Sequence, residues 1–297
     1  MTDNFRASLL MVATMAGFAV EDLLIKQVAG PQAGAVPVAQ ILMTMGLGGA
    51  GFFGLVSVIL GRAIWSPVLL TRPVLLRNGA EMISTMTGVT ALVLIPLSLA
   101  SAILQAAPIL VTLGAAVFLG EKVGWRRWSA IAVGIAGVML ILRPGAAGFN
   151  PAVWLAVIAV VAVAARDLAT RAASAAITTL QLAFWGYALS IPSGVILFGI
   201  LGQPLVWPTP GAWLWLGGAQ CLGITFYYTL TLALRLGESS AVVPFRYSRL
   251  VFALALGVGI LGERVDGWML AGLALVTASG LYTLLREGRL RRQAVPA

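Results

Sequence analysis

The chain is a succession of apolar stretches, all but a shorter fifth about 17–25 residues long, the length that crosses a bilayer as one helix. Val38–Leu60 holds 23 residues without a charge. In hydrocarbon a backbone must pair its own N–H and C=O groups, and a helix does so within one segment. Ten such spans are predicted: Ala7–Gln27, Val38–Leu60, Val74–Leu97, Ser98–Leu119, Trp128–Leu142, Ala152–Thr170, Thr178–Leu201, Trp213–Leu234, Ser239–Leu261 and Trp268–Leu285. The third and fourth form one nearly unbroken run, divided at Ile95–Ser98, where Pro96 favours a turn. Of all residues, 60% are hydrophobic and 10% charged, against about a quarter charged in soluble domains. The fold class is an all-α integral membrane protein of ten transmembrane helices.

Ten spans put both termini on one side of the bilayer. Fourteen of the nineteen Lys and Arg residues fall on that side, while Lys26, Arg143 and Arg264 fall on the other. Arg246 and Arg249 remain inside the membrane. Positive loops stay in the cytoplasm, so both termini are expected there, in a multi-pass protein of the inner (plasma) membrane. The same placement accounts for the formal charge of +9 without a nucleic-acid partner. The opening "MTDNFRASLLMVATMAGFAV" has the short apolar core of a signal peptide. Its counterpart later in the chain makes it the first span instead.

That counterpart belongs to an internal repeat. "EDLLIK" (Glu21–Lys26) matches "RDLATR" (Arg166–Arg171), and Gln40 answers Gln181. "LGEKVGW" (Leu119–Trp125) answers "LGERVDGW" (Leu261–Trp268), with the offset held between 141 and 145 residues. Residues 1–145 and 146–297 are thus two five-helix repeats. Five is odd, so the second repeat enters the bilayer from the opposite side. Transporters built on inverted repeats hold substrate at mid-membrane between the halves, in a central cavity.

Two halves, each with an "LGE…GW" signature after its fourth helix, resemble the drug/metabolite transporter (DMT) superfamily, EamA-type branch. The stretch "SAILQAAPILVTLGAAVFLGEKVGWRRWSAIAVGIAGVMLI" is similar to the family pattern. Within the branch, the chain looks most like amino-acid exporters of the YddG type. The resemblance implies export of amino acids, aromatic or otherwise neutral, or of related metabolites, by alternating access. Small multidrug transporters of the superfamily use a first-helix glutamate, so efflux of cationic drugs through Glu21 or Asp22 is the alternative.

Candidate site residues are the polar groups inside the spans. A charge at the bilayer centre costs at least about 2.5–3.5 kcal/mol, so Arg246 and Arg249, three apart on one helix face, need partners. Glu81 lies seven residues inside its span, as Arg246 does, and a Glu81–Arg246 gate beside Asn78 is expected. Glu21, Asp22 and Asp167 are assigned to gating or coupling. Gln105, Trp185, Tyr227, Tyr228 and Tyr247 complete a cavity wall of apolar surface with a few polar groups. Pro108 and Pro244 are expected to bend the fourth helix of each half.

With one cysteine, Cys221, and no histidine, the chain has little with which to build a transition-metal site or an imidazole-assisted nucleophile. It has no phosphate-binding loop ending in Lys-Ser/Thr and no long soluble segment. An enzyme, an ATP-driven pump and a signalling receptor all fit less well than a secondary transporter. The expected partners are a small-molecule substrate and the lipid bilayer, with no cofactor, and the chain is expected to work as a monomer.

Overall fold

The computed structural model describes residues 3–31, 34–118, 120, 124–144, 149–173, 177–237 and 242–294. Glu121 and Lys122 of the first signature, and the expected start of the ninth span at Ser239, lie outside the described residues. Those described are helical throughout, apart from turns and loops. The helices are α1 (Asp3–Val28), α2 (Val38–Ile59), α3 (Arg72–Leu94), α4 (Leu97–Leu104), α5 (Ala107–Phe118), α6 (Trp125–Leu142) and α7 (Val153–Ala172). They continue as α8 (Thr179–Leu201), α9 (Pro210–Leu236), α10 (Ser248–Gly259) and α11 (Gly267–Ala294). A 3-10 turn, Val243–Tyr247, leads into α10. Among the described residues, five segments are long and apolar enough to cross a membrane: α1, α2, the pair α4–α5, α7 and α8.

The boundaries follow local chemistry. The split at Ile95–Ser98 falls between α3 and α4, with Pro96 at the N-cap position of α4. The fourth span is then broken at Gln105–Ala106, and Pro108 takes the second position of α5, where a missing N–H costs nothing. Pro244 opens the 3-10 turn, whose junction with α10 at Tyr247–Ser248 lies 142 residues after the break at Gln105–Ala106. The breaks correspond, although the prolines do not. Pro192, inside α8, is a further interruption of the backbone ladder.

The chain divides into two compact units, one of residues 1–23, 95–153 and 221–297, the other of 24–94 and 154–220. Each unit draws on both sequence repeats. In the second unit α2 packs antiparallel against α8. A Cβ on Gly46 would meet the Tyr187 carbonyl at 3.0 Å, one on Gly49 the Tyr187 ring at 2.1 Å, and one on Gly194 the Ala39 carbonyl at 2.6 Å. In the first unit α6 crosses α11 where Gly137 and Gly272 each face the other's carbonyl, at 2.9 and 2.7 Å from an added Cβ. Such approaches need residues without side chains, as in other membrane helix pairs.

The two halves of the chain share turn geometry at matched positions. Gly61 and Gly202 follow α2 and α8 with φ of +60° and +59°, while Gly120 and Gly262 have φ of +67° and +66°. These are left-handed positions that favour glycine. Gln40 binds Val206 through both its amide atoms, at 2.7 and 3.1 Å, and Gln181 donates to the Ala63 carbonyl at 3.0 Å. Each glutamine therefore starts one helix of the α2–α8 pair and pins the loop that follows the other.

Candidate functional site

Among the described residues, charged side chains form two clusters on the helices, one in each unit. In the first, Arg249 in the opening turn of α10 donates through Nη2 to Asp22 Oδ2 on α1 at 2.6 Å. Its guanidinium carbon lies 5.5 Å from the centre of the Phe18 ring, a cation–π contact. Phe18 meets Phe226 of α9 edge to face at 6.4 Å. Gly17 admits that ring, because a Cβ there would lie 1.9 Å from it. Arg249 Nε is buried with no hydrogen-bond partner among the described residues. Glu21 precedes Asp22 on α1 and is half-buried. The cluster thus offers a paired cation and anion, a spare donor and two aromatic faces.

The rest of the expected wall in this unit is distributed differently. Gln105 donates to the Arg246 carbonyl at 3.2 Å, across the two helix breaks. The Arg246 side chain is exposed, and Tyr227 is half-buried. Tyr228 is 68% exposed. Tyr247, expected on the wall, is only 5% exposed, with its hydroxyl packed over Gly280 of α11. Glycine there is what admits the phenol.

The second cluster joins α3 to α7. Glu81 binds Arg77 at 3.2 Å, one turn below it on α3, and Arg166 at 3.4 Å. Arg166 also binds Asp167 at 2.8 Å, and Arg77 donates to Asn78 at 3.0 Å. The described partners of Glu81 are Arg77 and Arg166, both from its own unit, where a pairing with Arg246 was expected. Arg77 was missed because it is one of the fourteen Lys and Arg residues assigned to the cytoplasmic side, whereas it is buried in α3. Trp185 spends its indole N–H on the Ile64 carbonyl at 2.9 Å, bracing the loop after α2. An apolar groove of about 540 Å³ runs along Leu75, Gly79 and Ile83 of α3 and Ile158 and Val161 of α7. It offers a solute no polar group to orient it.

Comparison with known proteins decides the family. Residues 150–285 match the EamA-like transporter family. The chain is 30% identical over 228 residues to the riboflavin transporter of Rhizobium johnstonii, covering 77% of this chain and 72% of that protein. The chain belongs to the EamA-like transporter family. This member of the DMT superfamily is a multi-pass membrane transporter. It is also similar to the riboflavin transporter of Vibrio cholerae, with 28% identity over 67% of this chain and 66% of that one. The S-adenosylmethionine uptake transporter of Rickettsia conorii shares 25% identity over 66% of each. A protein crystal structure matches the fold with a TM-score of 0.60 at 23% identity, over 94% of this chain and 99% of the other. None of these three relatives is named as an amino-acid exporter, so the YddG-type assignment gains no support from them.

Proposed function

We propose that this EamA-type protein is a secondary carrier of ten spanning helices in two inverted halves, moving a planar heteroaromatic metabolite of the flavin class by alternating access. The antiparallel pairing of α2 with α8 and of α6 with α11 supports the inverted arrangement, since each helix meets its own repeat counterpart. Both termini are then cytoplasmic, and the solute gradient sets the direction of net flux.

The observation that carries the substrate class is Arg249 paired with Asp22 beside Phe18 and Phe226. A flavin ring presents an imide edge, one N–H flanked by two carbonyls. A carboxylate accepts from the N–H, a guanidinium donates to a carbonyl, and the phenyl rings stack on the faces. The two riboflavin transporters among the relatives support the same class.

A second reading is S-adenosylmethionine, whose sulfonium cation would suit Glu21 beside Asp22, and whose Rickettsia transporters are also relatives. Competition separates the two. Labelled riboflavin uptake into proteoliposomes should be blocked by excess lumiflavin, weakly by 3-methylriboflavin (which lacks the imide N–H), and not by S-adenosylmethionine or phenylalanine. Block by S-adenosylmethionine alone would favour the second reading, and block by phenylalanine would restore amino-acid transport.

A further inference from the structure

Glu263, the glutamate of the second signature, reaches back to the start of α4. Oε1 accepts the Leu97 N–H, and Oε2 accepts the Ser98 N–H at 2.9 Å and the Ser98 hydroxyl at 2.6 Å. These amides open α4, where no earlier helical carbonyl is available, and the Pro96 ring carries no acceptor to offer them. A carboxylate at this point also meets the positive end of the helix dipole. Gly257 makes the room, since a Cβ there would lie 2.5 Å from Glu263 Oε2.

At its other end α4 is tied again, through the Gln105 donation to the Arg246 carbonyl. The eight-residue rod, about 12 Å long at 1.5 Å per residue, therefore lies antiparallel to the segment 243–263 and is clamped at both ends to it. Arg249 stands between the clamps, one turn after Arg246. The 3-10 turn before it has poorer hydrogen-bond geometry than an α-helix, so its direction depends on outside ties. We infer that Glu263 and Gln105 are positioning residues for Arg249, fixing the first turn of α10 so that the guanidinium meets Asp22. The inference rests on Arg249 being the substrate-binding cation.

The test has two readouts on the full chain in proteoliposomes. In a Cys221→Ser background, a spin label at Phe245→Cys, a site 43% exposed in the 3-10 turn, reports motion there whatever the substrate. Glu263→Ala and Gln105→Ala should each mobilise the label, with Ser98→Ala a milder variant that keeps the carboxylate. The same substitutions, without the label, should raise the KM for riboflavin about tenfold with Vmax within about twofold, and Glu263→Gln should fall between. An unchanged label spectrum in Glu263→Ala overturns the inference. So does a mobilised label with unchanged KM in a carrier that transports riboflavin. If the wild type takes up no riboflavin, the substrate reading fails, and the label alone decides whether the clamp holds.

Discussion

Arg249 and Asp22 meet at 2.6 Å although 227 residues separate them in the chain, and their contact joins α10 to α1. Their side chains are 29% and 14% exposed, so each is largely withdrawn from water and relies on the other. Removing one partner of a buried pair costs about 3–5 kcal/mol, and the residual exposure of Arg249 puts the expected value near the lower end. Asp22→Asn and Arg249→Gln should each lower uptake by roughly tenfold or more. The double variant should recover part of the lost thermal stability, because it leaves no charge unpaired. A double variant whose loss equals the sum of the two single losses would show that the pair is not coupled.

Glu81 should behave as the centre of the other cluster. Glu81→Gln leaves Arg77 and Arg166 facing a neutral group, in a place where Arg77 is buried. The expected result is a loss of about 2–3 kcal/mol, read as a lower melting temperature in detergent. Arg62→Gln, at an exposed side chain in the loop after α2, should leave that temperature within a degree or so. Equal losses in the two variants would contradict the assignment of Glu81 to Arg77 and Arg166.

Much of the fold could be read from the sequence because lipid imposes a length and a composition on every span. Nine of the ten expected spans begin within a few residues of a helix, and the ninth alone starts outside the described residues. The likeness of "LGEKVGW" and "LGERVDGW" reflects shared turn chemistry, with left-handed glycines at Gly120 and Gly262. Side-chain partners were not legible. Equal depth in the bilayer allowed Glu81 to pair with any arginine at its level, and depth says nothing about which helices are neighbours. Phe18 and Phe226 were overlooked for a related reason, since a phenylalanine in an apolar run carries no signal until a cation lies over it. Gln40 and Gln181 were recognised as a matched pair, but their work is to hold loops.

The helix crossings predict where bulk is forbidden. Gly49→Val would drive a branched side chain into Tyr187, and Gly272→Val would push against Ile141 and the Gly137 carbonyl. Overpacking of this kind costs about 1–3 kcal/mol, so both variants should melt earlier and express less. Gly51→Val meets nothing within 4 Å and should be tolerated. A tolerated Gly49→Val would mean that the α2–α8 approach is looser than described.

Asp266 supplies a dependence on pH outside the spans. The Met269 N–H donates to it at 2.8 Å at the start of α11, and Arg143 donates to its other oxygen. The backbone hydrogen bond first, and then the Arg143 guanidinium, hold its carboxyl below the ordinary value of 3.8. A lowered carboxylate stabilises the fold above its unfolded pKa and loses that contribution as the pH falls through its folded one. The advantage of the wild type over Asp266→Asn in melting temperature should therefore be complete near neutrality and shrink from about pH 5 downward. The effect is small because the group is exposed. An advantage that grows on acidification would contradict the sign.

Riboflavin counterflow addresses the central claim most directly. Proteoliposomes loaded with unlabelled riboflavin would be diluted into a trace of labelled riboflavin, with wild-type protein and with Arg249→Gln. The expected result is transient accumulation of label by the wild type, and its loss in the variant without loss of folded protein. Absence of counterflow in the wild type, or equal accumulation by Arg249→Gln, would contradict the account.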